Sequence, residues 1–139
     1  MLNVEGSVGV RAELTPTAPL VMVVEDDDTI REVVADVLDD RGFRTLAASN
    51  GQEALAHLDK VRPDVLVLDL LMPVMHGWAF MENYARKTNG AQIPIVVLSV
   101  NPVLPRSFDQ FGVRHCLGKP FQVDELIEAV EGALSSVAA

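Results

Sequence analysis

From Leu20 onward, short apolar runs alternate with amphipathic stretches. Residues 20–24, 44–48, 65–68, 95–98 and 113–117 are short and mostly apolar, and they read as five strands. Three of these runs are almost wholly apolar, the pattern of strands covered on both faces, which argues for a parallel sheet between layers of helices. Between the runs the period changes. Ile30, Val33, Val34, Val37 and Leu38 recur at helical spacing, with Asp28 or Thr29 able to cap the start and Glu32 completing a Thr-x-x-Glu box. A second helix follows from Asn50, with Glu53 three residues on, and should end near Lys60 before the Arg62-Pro63 break. A third is predicted over about 77–87, and a last one carries Val123, Leu126, Ile127, Val130 and Leu134 on one face. The resulting order, βαβαβαβαβα, predicts an α/β fold: an open, doubly wound parallel sheet with helices on both faces. Ligand chemistry in such a sheet belongs just beyond the carboxyl ends of the strands. Residues 1–19 mix Gly, Pro and Thr with isolated charges and show no period, so they read as a flexible leader. The domain is expected to span 20–136, with 137–139 as a tail.

Composition narrows the function classes. With 139 residues, 49% hydrophobic and 22% charged, the chain has the balance of one globular domain. A net charge of −9 opposes direct nucleic-acid binding, which is built largely on Lys and Arg neutralising phosphates. Cys116 is the only cysteine, so no intrachain disulfide can form, and a cytoplasmic setting is expected. No apolar run is long enough for a membrane span, and the first residues lack a signal-peptide pattern.

The polar clusters fall where the topology places a site. Glu25, Asp26, Asp27 and Asp28 follow the first strand, Asp69 the third, Ser99 the fourth, and Lys119-Pro120 the fifth. A helix cap needs only one of the four acids, which leaves Glu25 and Asp26 crowded at the end of a hydrophobic strand and in want of a cation. Magnesium favours one or two carboxylates, a carbonyl and several waters, a set that Glu25, Asp26, Asp69 and a backbone oxygen after Asp69 can supply. Each residue also has a plainer reading. Asp69 alone can be a turn or cap acid, Ser99 a turn residue and Lys119 a surface lysine, while His57, His76 and His115 read as surface or loop positions.

Val-Val-Glu-Asp-Asp-Asp-Thr-Ile-Arg at 23–31, Val-Leu-Asp-Leu-Leu-Met-Pro-Val-Met-His-Gly at 67–77 and Gly-Lys-Pro-Phe at 118–121 together resemble the signatures of receiver domains of two-component response regulators. The resemblance covers about residues 20–135. It implies a flavodoxin-like single domain with a five-stranded sheet of order 2-1-3-4-5. It further implies that Asp69 is the phosphoacceptor, forming an acyl phosphate, and that Glu25, Asp26, Asp69 and the Leu71 backbone carbonyl hold Mg²⁺. Lys119 and Ser99 would meet the phosphoryl oxygens, and a cis Lys119–Pro120 bond would aim the lysine inward. The implied partners are a sensor histidine kinase or histidine phosphotransfer protein and a downstream protein target. The implied activity is self-catalysed phosphoryl acceptance, not turnover as an enzyme; because Leu71 cannot hydrogen-bond an attacking water, autodephosphorylation is expected to be slow.

Three departures from the family pattern bear on output. Val100 stands where a small residue usually follows the serine, Cys116 replaces the usual Tyr or Phe, and Pro102 and Pro105 predict a short, late-starting or partly unwound helix between the fourth and fifth strands. They favour an alternative in which a degenerate receiver binds partners independently of phosphorylation. A flavin carrier would want a Ser/Thr/Gly-rich phosphate loop where this chain has four acids, and an aspartyl phosphatase would want an acid at Leu71.

Overall fold

The computed structural model describes residues 18–70, 77–87, 93–100 and 111–138. Five strands, β1 (Leu20–Val24), β2 (Arg44–Ala48), β3 (Val65–Asp69), β4 (Ile95–Ser99) and β5 (Val113–Gly118), form one sheet of order β2-β1-β3-β4-β5. All four pairings are parallel, with a register irregularity between Ile95 and Val96 where β4 meets β5. Four helices are described: α1 (Asp28–Asp40), α2 (Gly51–Leu58), α3 (Gly77–Lys87) and α4 (Val123–Ala138). The doubly wound sheet and its order are as the sequence implies. The helix expected between β4 and β5, with its two prolines, falls on 101–110, outside the described residues.

Alternate strand positions feed opposite cores, as the two-residue period of a strand requires. Val21, Val23, Val65, Val67, Val96 and Leu98 pack with Val34 and Leu38 of α1 and with Leu126, Ile127, Val130 and Ala133 of α4. Met22, Val24, Leu66, Leu68, Ile95 and Val97 pack with Ala54 of α2 and with Phe80, Met81 and Tyr84 of α3. The three central strands are therefore buried on both sides, which explains why β1 is wholly apolar and β3 and β4 are apolar up to their last residues. β2 and β5 are the edges and stay half-buried. At the amino-terminal edge Ala18 is already buried, and the Pro19 carbonyl accepts from the Arg44 amide.

Two local expectations need correction. The cap of α1 is Asp27, not Asp28 or Thr29: its backbone is extended and its carboxylate accepts from the Ile30 amide at 2.9 Å. That moves the start of the helix one residue earlier and leaves Asp28 in the first turn, paired with Arg31. The second helix ends at Leu58, before the expected Lys60, because the Asp59 and Lys60 amides bond to the Ala56 and His57 carbonyls in a tightened last turn. Its start is as expected, with Asn50 accepting from the Glu53 amide at 2.8 Å. β3, β4 and β5 each run one residue further than the apolar pattern, so that Asp69 pairs with Leu98 and Ser99 with Gly118.

Candidate functional site

The carboxyl ends of β1, β3, β4 and β5 bring their polar residues to one place. Glu25 continues the β1 ladder, its amide bonding to the Ala48 carbonyl at 3.1 Å. Its carboxylate is only 1% exposed and is held twice: Oε2 accepts from the Asp27 amide at 3.1 Å, and Oε1 accepts from Lys119 Nζ at 3.0 Å. Asp69 closes β3 with its side chain 5% exposed, and its Oδ2 lies 3.4 Å from the same ammonium. Lys119 follows β5, its amide bonding to the Ser99 carbonyl at 2.8 Å, and its peptide with Pro120 is cis. Ser99 is buried at the end of β4, beside Lys119 in this backbone pairing.

One carboxylate oxygen from each of Glu25, Asp26 and Asp69 lies within 4.8 Å of the others. Glu25 and Asp69 are buried and Asp26 is exposed, so the cluster opens to water on one side. Two buried carboxylates share one ammonium and a third, exposed carboxylate lies beside them, which leaves an excess of negative charge. Burial pushes the Glu25 carboxyl up to about 7, and Asp69 adds to the rise, against the lowering pull of Lys119 and the Asp27 amide. Burial would lower the Lys119 ammonium, but its contacts with Glu25 and Asp69 outweigh that and hold it above the ordinary lysine value. An oxygen-only donor set with an open, wet side is what a hard divalent cation such as Mg²⁺ requires, and the residues present fit it.

Of the residues singled out in the sequence, Glu25, Asp26, Asp69, Ser99 and Lys119 come together. Leu71, with the carbonyl expected to complete the metal set, and His76 lie outside the described residues. His57 stands away from the cluster, its Nε2 3.2 Å from the Ala47 carbonyl on the β2 edge. His115 is half-buried on β5 rather than in a loop, against Gly132 of α4. Val100, directly after Ser99, is 67% exposed. Cys116 is half-buried against the core under α2 and α3, and burial raises its thiol.

Arg31 is the residue for which the sequence suggested no role. Its Nη1 donates to the Glu25 carbonyl at 2.9 Å while Nη2 pairs with Asp28 Oδ1. The available signal was its place three residues after an acid in the first turn of a helix that follows an acidic loop. Beside the cluster, Thr29, Ile30, Val33, Lys119, Pro120 and Phe121 line an open apolar groove of about 440 Å³ between α1 and the turn after β5.

Comparison with known proteins matches the chain in sequence and in fold. A family model described as the response regulator receiver domain matches residues 21–131. The DNA-binding transcriptional regulator NtrC of Salmonella typhimurium is 34% identical over 118 residues, 84% of this chain but 25% of that protein. The chemotaxis protein CheY of Listeria monocytogenes is 29% identical over 81% of this chain and 95% of its own length. The structure of Vibrio cholerae chemotaxis protein CheY4 superposes with a TM-score of 0.76 at 31% identity, covering 85% of this chain and all of that one. The chain thus spans a quarter of the NtrC sequence and nearly the whole of the single-domain chemotaxis proteins.

Proposed function

Since the chain belongs to the response regulator receiver domain family, we propose that it is a phosphoacceptor switch in which Asp69 takes a phosphoryl group in a Mg²⁺-dependent reaction. The observation that carries this reading is the convergence of Glu25, Asp26, Asp69 and Lys119 at the strand ends, the first three within 4.8 Å. The receiver unit is taken as residues 20–136, in a cytoplasmic protein.

Asp69 is the nucleophile. A carboxylate oxygen attacks the phosphorus of a phosphohistidine, the P–N bond breaks, and its electron pair returns to the imidazole nitrogen, which takes up a proton. The product is an acyl phosphate on Asp69. Glu25, Asp26 and Asp69, with the Leu71 carbonyl, would hold Mg²⁺, which when bound supplies positive charge against the phosphoryl oxygens. Lys119 is shared between Glu25 at 3.0 Å and Asp69 at 3.4 Å. Lys119 is thereby positioned beside the acceptor, where its ammonium would meet a phosphoryl oxygen on Asp69. The Ser99 hydroxyl donates to another. Apolar Leu71 leaves an attacking water unassisted, so autodephosphorylation is slow.

The donor is a sensor histidine kinase or histidine phosphotransfer protein, and the apolar groove beside Lys119 offers it a surface next to the acceptor. Output runs through protein contacts, and with net charge −9 it does not use nucleic acid directly. The test is incubation with acetyl phosphate, with and without Mg²⁺, read by intact mass on the wild type and Asp69→Ala. A magnesium-dependent phosphoryl adduct absent from the variant is expected. The second reading, a phosphorylation-independent binding module, is favoured by exposed, branched Val100 directly after Ser99 and by Cys116 in place of an aromatic. It predicts no adduct on a folded wild type.

A further inference from the structure

Glu25 to Asp28, from the end of β1 into the first residue of α1, carry four carboxylates in succession, yet Glu25 is held at every polar group. Its amide is fixed by Ala48 and its carboxylate by Asp27 and Lys119. Its carbonyl is fixed by Arg31, whose guanidinium reaches back from the first turn of α1. The Arg31 side chain is 18% exposed and closes the loop a second time through Asp28, while its own amide bonds to the Asp27 carbonyl at 2.9 Å. A single side chain therefore spans the segment that carries Glu25 and Asp26. A cation beside a cation site ordinarily weakens binding by repulsion, so a residue placed here must be justified by geometry.

Resting on the reading that the three carboxylates take a divalent cation, we propose that Arg31 is a positioning residue of that site. By clamping the Glu25 carbonyl it keeps the Glu25 and Asp26 carboxylates turned toward Asp69, and this contribution exceeds the repulsion its charge introduces. The two effects have opposite signs. If charge alone mattered, removing Arg31 would tighten cation binding; if positioning dominates, removal weakens it. Substituting groups that hold metal ligands in place typically lowers affinity by roughly tenfold or more.

The experiment is calorimetric Mg²⁺ titration of the full chain as wild type, Arg31→Ala, Arg31→Lys and Arg41→Ala, with folding checked by circular dichroism. Arg41 ends the same helix and pairs with the exposed Asp124 at 3.7 Å, so Arg41→Ala removes an equal charge without touching the loop. Arg31→Ala is expected to weaken binding about tenfold. Arg31→Lys keeps the charge but not the two-pronged reach, and is expected to weaken it less, while Arg41→Ala leaves it unchanged or slightly tighter. Wild-type affinity or better in folded Arg31→Ala overturns the positioning role while leaving the cation site standing. Should Arg31→Ala fail to fold, wild-type affinity in Arg31→Lys overturns the role in the same way. A wild type that binds no Mg²⁺ overturns both the site and the role.

Discussion

Glu25 ties the stability of the protein and its cation affinity to pH in opposite directions. Its carboxyl titrates near 7 in the fold against 4.5 when free, chiefly through burial. A raised folded value means the folded protein holds this proton more tightly than the unfolded chain. The stabilisation is therefore complete below about 4.5 and is lost as pH rises toward 7. At 1.36 kcal/mol per pH unit the loss amounts to at most about 3 kcal/mol between those values. If Glu25 is a Mg²⁺ ligand as proposed, the metal works the other way: below about 7 it must displace the Glu25 proton, and its affinity should fall by up to about tenfold per pH unit there. Urea unfolding in metal-free buffer at about pH 5 and about pH 8, repeated with excess Mg²⁺, measures both effects. In Glu25→Gln, which cannot titrate, the metal-free decline attributable to this group should vanish, along with most of the Mg²⁺ stabilisation. A wild type and Glu25→Gln with the same metal-free pH slope would refute the assignment of the proton to Glu25. Mg²⁺ affinity independent of pH across this range would refute Glu25 as a ligand.

Three further outcomes follow from the contacts. Lys119→Met leaves buried Glu25 and Asp69 without their shared ammonium; it should cost about 2–3 kcal/mol in metal-free urea unfolding, somewhat under the range for breaking a buried pair because Lys119 is 19% exposed, with part recovered on adding Mg²⁺. Asp27→Ala removes the α1 cap and should cost about 1 kcal/mol by thermal unfolding, whereas Asp28→Ala, whose own side chain is 81% exposed, should cost less than half of that. At Gly132 an added Cβ would stand 2.8 Å from His115 Nε2, so Gly132→Ala should fail to stabilise the wild type yet add up to about 1 kcal/mol in a His115→Ala background, as read by a double-mutant cycle.

How far the sequence was legible depends on whether a property is local. The three central strands could be read because burial on both faces erases any polar position, and 65–68 and 95–98 have none. Their last residues were missed because Asp69 and Ser99 are polar, and only their cross-strand partners Leu98 and Gly118 place them in the ladder. The α1 cap was missed for a different reason. Three consecutive aspartates are chemically equivalent as caps, and the choice of Asp27 is made by an extended backbone that also lets its amide serve Glu25.

The carboxylates of the site were recognisable because strand ends in a doubly wound sheet converge wherever they lie in the sequence. What the sequence left hidden is the division of Lys119. Read along the chain, it belongs with Asp69 and a phosphoryl group; in the fold its nearer partner is Glu25, 94 residues away. That contact depends on the sheet order that brings the ends of β1 and β5 to the same side of Asp69, and on the burial of Glu25. Arg31 was hidden in the same way, since its acceptor is a backbone carbonyl that carries no sequence signal at all. Side chains that meet a substrate or metal betray themselves by residue type, whereas those that hold the first group in place act through backbone atoms any residue supplies. The second class is where a structure adds most to the reading of this site.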